Sequence, residues 1–248
     1  FLRKKKISVK KIQFNKLFKS NINNSLIINF STHENFFKKK YQKKYDRNHQ
    51  IAKYFKDKQI LLYLISSRQV YKPILGINEK SKLLAQNYYS KNCLISEKNC
   101  KAILKNKLAI LRTSNVVGLE IRKKRQSMMS ALINGIKNKK VVLDQNCHYK
   151  KDILPIKFFC KIILFLINKN FTGLVNIGSG ISLTLQEVFN YVNGDKKIKL
   201  IIDNKKKIRD GSFSYDISKL KKITKIQITK KQVLHELKKI KNEIKQKY

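Results

Sequence analysis

Ser66, Ser67 and Tyr71 close one apolar run, and Tyr89 opens the helical stretch that follows. The run reads ILLYLISSRQVYKP from Ile60, and the later stretch reads NYYSKNCLISEK from Asn87. Together they describe a strand, a polar loop and an amphipathic helix with reactive hydroxyls at the joint. A phenol held at such a joint can carry a proton to or from a bound oxygen. The rest of the chain reads as the scaffold that positions it.

Residues 60–65 and the run SLIINFS from Ser25 are continuous apolar segments of the kind found in buried parallel strands. Residues 108–112 read as another strand, running into Thr113, Ser114 and Asn115. Residues 34–56 form a lysine-rich helical stretch with Phe37, Tyr41, Tyr45, Asn48, Ala52 and Phe55 at spacings of three and four, one face packed and the other solvated. Residues 87–104 read as a helix. This alternation predicts an α/β fold, a parallel sheet with helices on both faces. Residues 1–14 read as a basic helix end running into a strand, with Ile7, Val9 and Ile12 inward.

After Gly118 the pattern is mixed. A basic helix over 122–137, a short strand over 141–143 and a helix over 152–168 precede a strand over 173–177. Gly178-Ser179-Gly180 reads as a tight turn rather than a phosphate cradle. Thr184 and Glu187 have the spacing of a capping box. A strand over 197–202, a short helix beginning at 216–219 and an amphipathic helix over 230–245 complete the chain, the last with Val233, Leu237, Ile240 and Ile244 on one side.

A chain of 248 residues with 42% hydrophobic content can bury a core. Its net charge of +42, from 57 basic and 15 acidic residues, would suit a polyanion. The basic residues are mostly lysines spread along the whole length, with many Asn, Ile, Phe and Tyr, the set that A/T-rich codons supply. Runs such as 38–40 and 205–207 then read as solvated faces, and nucleic acid is the weakest partner reading. Cys93, Cys100, Cys147 and Cys160 form no CxxC pair and have no histidine at zinc spacing, so free thiols, a reducing cytoplasm and no metal are expected. His33, His49, His148 and His235 are scattered and receive no role. The longest apolar runs fall short of the roughly 20 residues of a membrane helix, and no signal peptide is read.

At SSRQVY, NYYSKNCLISEK and LRTSNVVG the chain resembles the extended short-chain dehydrogenase/reductase superfamily, in particular the NAD-dependent epimerase/dehydratase family acting on nucleotide sugars. SLIINFS, FTGLVNIGSGISLTLQEV and IRDGSFSYDISKLKKI agree in order, so the resemblance covers most of residues 25–225. It implies a Rossmann-like nucleotide-binding domain over 1–118 and a smaller, mainly substrate-binding domain over 119–248, with 152–180 returning to the first sheet. It implies that Ser67 hydrogen-bonds the sugar and that Tyr89 transfers the proton. Asn115 and Arg209 look like contacts to the nucleotide diphosphate, and Phe30, Ser31, Asn48 and Tyr89 look like cofactor-side positions. NAD or NADP would be the cofactor, a nucleotide-diphosphate sugar the substrate, and a homodimer the assembly.

Two departures stand out. A phenol of pKa about 10 is a poor base at neutral pH, and family members lower it with a lysine one turn after the tyrosine, since a nearby cation favours the ionised form. Here that position is Cys93. Lys91 lies about 200° round the helix from Tyr89 and points elsewhere. The fold also relies on a Gly-rich turn whose bare backbone reaches the pyrophosphate, yet the first glycine is Gly76. The chain reads as opening just after that turn, with FLRKKK the tail of the first helix, and Asn15-Lys16 offers no carboxylate to the adenosine ribose. Three readings follow: a nucleotide-sugar enzyme with weakened or lost activity, a catalytically inactive binder of nucleotide sugars or a partner, and a basic nucleic-acid-binding protein.

Overall fold

Successive side chains of a strand point to opposite faces, and over 60–67 both faces are apolar. Leu62 and Leu64 enter one hydrophobic cluster while Tyr63, between them, enters the other. Leu108 and Ile110 alternate in the same way with Ala109 and Leu111. Such strands need cover on both sides. The computed structural model, which describes residues 8–20, 22–118, 132, 135, 141–143, 147–193, 200–202 and 211–247, supplies it.

The first half carries α1 (Phe14–Leu17), β1 (Ser25–Asn29), α2 (Glu34–Lys38), α3 (Arg47–Tyr54), β2 (Ile60–Ser67), α4 (Tyr88–Leu104), β3 (Leu108–Thr113) and β4 (Asn115–Val117). The second carries β5 (Val141–Leu143), β6 (Lys150–Pro155), α5 (Ile156–Asn168), β7 (Gly173–Ile177), β8 (Ser182–Thr184), α6 (Leu185–Asn193), β9 (Leu200–Ile202), α7 (Ser218–Thr224) and α8 (Lys230–Lys247). β1, β2, β3 and β7 lie in that order in one parallel sheet. Ile51, Ala52, Cys100 and Leu104 of α3 and α4 pack on one face, and Ile162, Ile163 and Leu166 of α5 on the other. β6 joins β4 in parallel and β8 antiparallel, and β5 pairs with β9. Among the described residues no helix is long and apolar enough to cross a membrane.

Three element assignments are corrected. The stretch over 34–56 is not one helix but α2, a 3-10 turn over Lys43–Tyr45, and α3. The break restarts at Asp46, whose carboxylate accepts from His49 N at 3.0 Å and caps α3. Within α2 it is Phe36 that is buried, while Phe37, expected inward, is 38% exposed. The helix expected over 152–168 begins only at Ile156, because residues 150–155 pair as β6 and Pro155 stands at the helix cap. Residues 8–13 form no strand: Ile12 packs at the edge of the Leu17 cluster and α1 follows. Ile7, Ile244's side chain, residues 197–199 of the expected strand, most of the expected 122–137 helix and the 205–207 lysines lie outside the described residues.

The capping box forms as read. Thr184 N donates to Glu187 Oε2 at 2.8 Å and Glu187 N to Thr184 Oγ1 at 2.9 Å. Gly178-Ser179-Gly180 is a tight turn whose amides are taken up internally: Ser179 N and Gly180 N each donate to the Asp152 carboxylate at 3.0 Å. A Cβ at Gly178 would stand 2.7 Å from Tyr215 Cδ2, so only glycine fits there. Burial pushes the Asp152 carboxyl above its usual range, opposed by these donors and by Tyr215 N at 3.2 Å.

Candidate functional site

β1 and β2 deliver their carboxyl ends side by side, and α4 begins over them. Asn87 caps α4: its Oδ1 accepts from Ser90 N at 2.8 Å, and Asn87 N donates back to Ser90 Oγ at 3.2 Å. This fixes the first turn, which carries Tyr89. Four and eight positions on, Cys93 and Glu97 lie on the same helix face, because residues four apart are neighbours.

That face closes a cleft lined by Ser31, Asp46, Asn48, Tyr89, Cys93 and Ser96, among others. Asn29, at the end of β1, organises one wall. Its Oδ1 accepts from Ser31 N and Oγ at 2.9 and 2.6 Å, and its Nδ2 donates to Asn48 Oδ1 at 2.7 Å. Asp46 organises the floor, accepting from Tyr41 Oη at 2.9 Å and Ser96 Oγ at 3.0 Å. Phe37 stacks on the Tyr89 ring at 4.8 Å between centroids, and Phe36 meets it edge-on.

Cys93 is 5% exposed, with its thiol in reach of the Tyr89 and Ser66 hydroxyls. Burial first, then the Glu97 and Asp46 carboxylates, push that thiol up to about 12. It is a neutral group at physiological pH and brings no positive charge to Tyr89.

The two serines at the end of β2 diverge. Ser66 Oγ donates to Glu97 Oε1 at 2.5 Å, inside the core. Ser67 Oγ accepts from Gln69 N at 3.2 Å and caps the short 3-10 turn Arg68–Val70. Arg68 Nε then reaches Asn115 Oδ1 at 3.3 Å, linking the β2 end to β4.

The structure therefore brings Ser31, Asn48, Tyr89 and Cys93 to one cleft and places Ser67 and Asn115 at neighbouring strand ends, joined through Arg68. Phe30 is 66% exposed and leans on Phe159 with ring centroids 6.3 Å apart. Arg209 lies outside the described residues. Asn29, Asp46, Arg68, Glu97 and Arg112 were not singled out in the sequence. For Glu97 a signal existed, the spacing of four from Tyr89 through Cys93. For Arg112 it was a lone charge inside an apolar strand.

No protein-family model matches the chain, and no curated protein matches it in sequence. Solved structures do match in shape. UDP-glucuronic acid 4-epimerase from Bacillus cereus in complex with NAD superposes with a TM-score of 0.76 at 18% identity, covering 96% of this chain and 78% of the other. The chain has the epimerase/dehydratase fold. UDP-N-acetylglucosamine 4-epimerase from Methanobrevibacter ruminantium M1, in complex with UDP-N-acetylmuramic acid, gives 0.74 at 17% identity over 83% of this chain and 70% of the other. dTDP-glucose 4,6-dehydratase from Bacillus anthracis, in complex with NAD, gives 0.71 at 17% identity over 89% and 73%. At these identities the matches show a shared fold.

Proposed function

We propose that this chain is a nucleotide-sugar protein of the epimerase/dehydratase kind, taking NAD or NADP at the Tyr89 cleft, in which proton transfer is attenuated at Cys93. The observation that carries the reading is the convergence of Ser31, Asn48, Tyr89 and Cys93 on one cleft at strand ends. Open α/β sheets bind their ligands outside the carboxyl ends of their strands. The fold is shared with proteins solved as NAD and UDP-sugar complexes.

The donor set of the cleft suits a ribose and a carboxamide: the hydroxyls of Ser31, Thr32, Tyr45, Tyr89 and Ser96 and the amide side chain of Asn48 line it. It does not suit the formation of a tyrosinate, because a buried neutral thiol stands where an ammonium is needed. A bound nicotinamide ring would supply hydride transfer. In this reading Phe30, Ser31 and Asn48 hold the cofactor side, Ser67 orients the sugar hydroxyl, and Tyr89 donates a hydrogen bond to it. Asn115 and Arg209 hold the diphosphate. Loss of the lysine weakens the acid-base step by about 10²-fold or more. Residues 1–118 form the nucleotide-binding unit of the proposal and 119–248 mainly the substrate unit. A homodimer in a reducing cytoplasm completes it, four free cysteines being compatible with that compartment.

Cys93 also favours a second reading, in which the chain binds a nucleotide sugar without turning it over. Calorimetric titration with NAD, NADP and a panel of UDP-sugars, followed by a turnover assay, separates the two. Saturable sugar-nucleotide binding with measurable turnover supports the enzyme. Binding without turnover supports the second reading, and no binding at millimolar ligand sinks both.

A further inference from the structure

Arg47 opens α3 directly after Asp46, and among the described residues that line the Tyr89 cleft it is the only cation. The neighbouring carboxylate is turned elsewhere. Asp46 is fully buried and accepts from His49 N, Tyr41 Oη and Ser96 Oγ.

A ring holds the Arg47 guanidinium instead. Its Cζ lies 4.8 Å from the centroid of Phe14, at the start of α1. That ring is braced in turn: Phe14 meets Phe18 edge-on at 5.1 Å, and Phe18 meets Tyr54 at 5.0 Å. Tyr54 packs on Phe55, which is 1% exposed, and its hydroxyl donates to Phe18 O. A ring face attracts a cation, yet the five N–H donors of a guanidinium still need oxygen acceptors. Among the described residues none takes a side-chain N–H of Arg47. The residue is half-buried, so water and solutes still reach it. A stacked guanidinium loses little freedom when it pairs with an anion, and its planar fork matches a phosphate.

The rest of the cleft offers neutral hydroxyls and the Asn48 amide, which suit a ribose but leave a phosphate without a counter-charge. Ser67 and Asn115, on the sugar side of the proposal, stand outside this cleft. We propose that Arg47 pairs with a phosphate of the dinucleotide and supplies the positive charge of the cofactor site. The inference rests on the reading of the Tyr89 cleft as the NAD or NADP site. It adds a binding residue to that reading and separates the cofactor's phosphates from those of the nucleotide sugar.

The test is calorimetric titration of the wild type, Arg47→Gln and Arg47→Lys with NAD and, separately, with UDP-glucose, at low and high potassium chloride. Thermal melting verifies that each variant is folded. Arg47→Gln should lose about 10- to 100-fold in affinity for NAD, the worth of a charge-assisted hydrogen bond. For UDP-glucose, which carries a diphosphate of its own, the loss should be at most about twofold. Arg47→Lys should recover part of the NAD affinity, because it restores the charge without the fork. The salt dependence of NAD binding should be steeper in the wild type than in Arg47→Gln, since screening acts on the pairing of charges. Equal losses for the two ligands, or NAD affinity unchanged in a folded Arg47→Gln protein, would overturn the assignment while leaving dinucleotide binding intact. A folded wild type that does not bind NAD would sink the cofactor reading of the cleft, and the Arg47 assignment with it.

Discussion

Glu97 of α4 and Arg112 of β3 form a buried, forked ion pair. Arg112 Nη2 stands 2.5 Å from Glu97 Oε2, Nε reaches Oε1 and Oε2 at 3.1 and 3.2 Å, and both side chains are 6% exposed. Ser66 adds a hydroxyl to the same carboxylate, and Arg112 Nη1 donates to Tyr71 Oη at 2.7 Å. Burial opposes the charge on Arg112, yet the Glu97 contact raises its pKa above the ordinary value. The pair fastens the helix that carries Tyr89 to β3 and, through Ser66, to β2, the strand that ends at Ser67.

Removing one partner leaves an uncompensated charge in the core. Glu97→Gln should therefore destabilise the protein by about 3–5 kcal/mol, read by urea denaturation. The double variant Glu97→Leu/Arg112→Met should recover much of that loss, because an apolar pair avoids desolvating charge. A single variant as stable as the wild type would show that the pair does not fasten α4.

Thiol reactivity should follow burial. Cys93, Cys100 and Cys147 are buried and Cys160 is partly exposed. Because the thiolate is the reacting form, the raised Cys93 and Cys100 thiols should be slow. With a disulfide reagent, Cys160 should react first in the native protein and all four thiols after denaturation. Modification of Cys93 as fast as Cys160, located by peptide mass, would contradict its placement.

How much of this was legible beforehand depended on how local the signal was. The cap at Asn87, the box at Thr184 and Glu187, and the alternation in β2 are set by residues within a few positions of each other. Each could be read from the chain. The split of 34–56 into α2 and α3 depends on Asp46 gaining buried donors from Tyr41 and from Ser96, a partner 50 positions away. The strand β6 begins Lys150-Lys151-Asp152, which looks exposed, but it is held by β4, β8 and a carboxylate buried in the 178–180 turn. Ser67, Tyr89 and Cys93 were singled out through the family resemblance, and the structure puts Tyr89 and Cys93 on the cleft and Ser67 at the neighbouring strand end. Arg68 was passed over because its partners, Asn115 and Phe213, lie 47 and 145 positions on.

Acid should loosen the contact between α6 and α8. The Lys230 ammonium at 2.8 Å and the Thr184 amide hold the Glu187 carboxyl below its usual range. A lowered folded-state value means that this contribution is full above the ordinary carboxylate pKa of about 4.3 and is lost as pH falls through the folded value. Glu187 is 41% exposed, so the contribution is only about 0.3–0.5 kcal/mol. Glu187→Gln, which keeps an acceptor for Thr184 N, should be less stable than the wild type by that amount at neutral pH. The gap should close as pH falls through the folded value. A gap that persists or widens in acid would refute the assignment.

The central claim is that binding survives at the Tyr89 cleft while proton transfer is weakened at Cys93, and Cys93→Lys tests it most directly. The new ammonium would stand one turn from Tyr89, where the Asp46 and Glu97 carboxylates also act on the side chain at position 93. The measurement is turnover of a bound UDP-sugar with NAD, followed by chromatography, alongside the dissociation constant of each protein. The account predicts that Cys93→Lys raises turnover by about 10²-fold with sugar-nucleotide affinity essentially unchanged. Unchanged turnover in a folded, ligand-binding Cys93→Lys protein would contradict it.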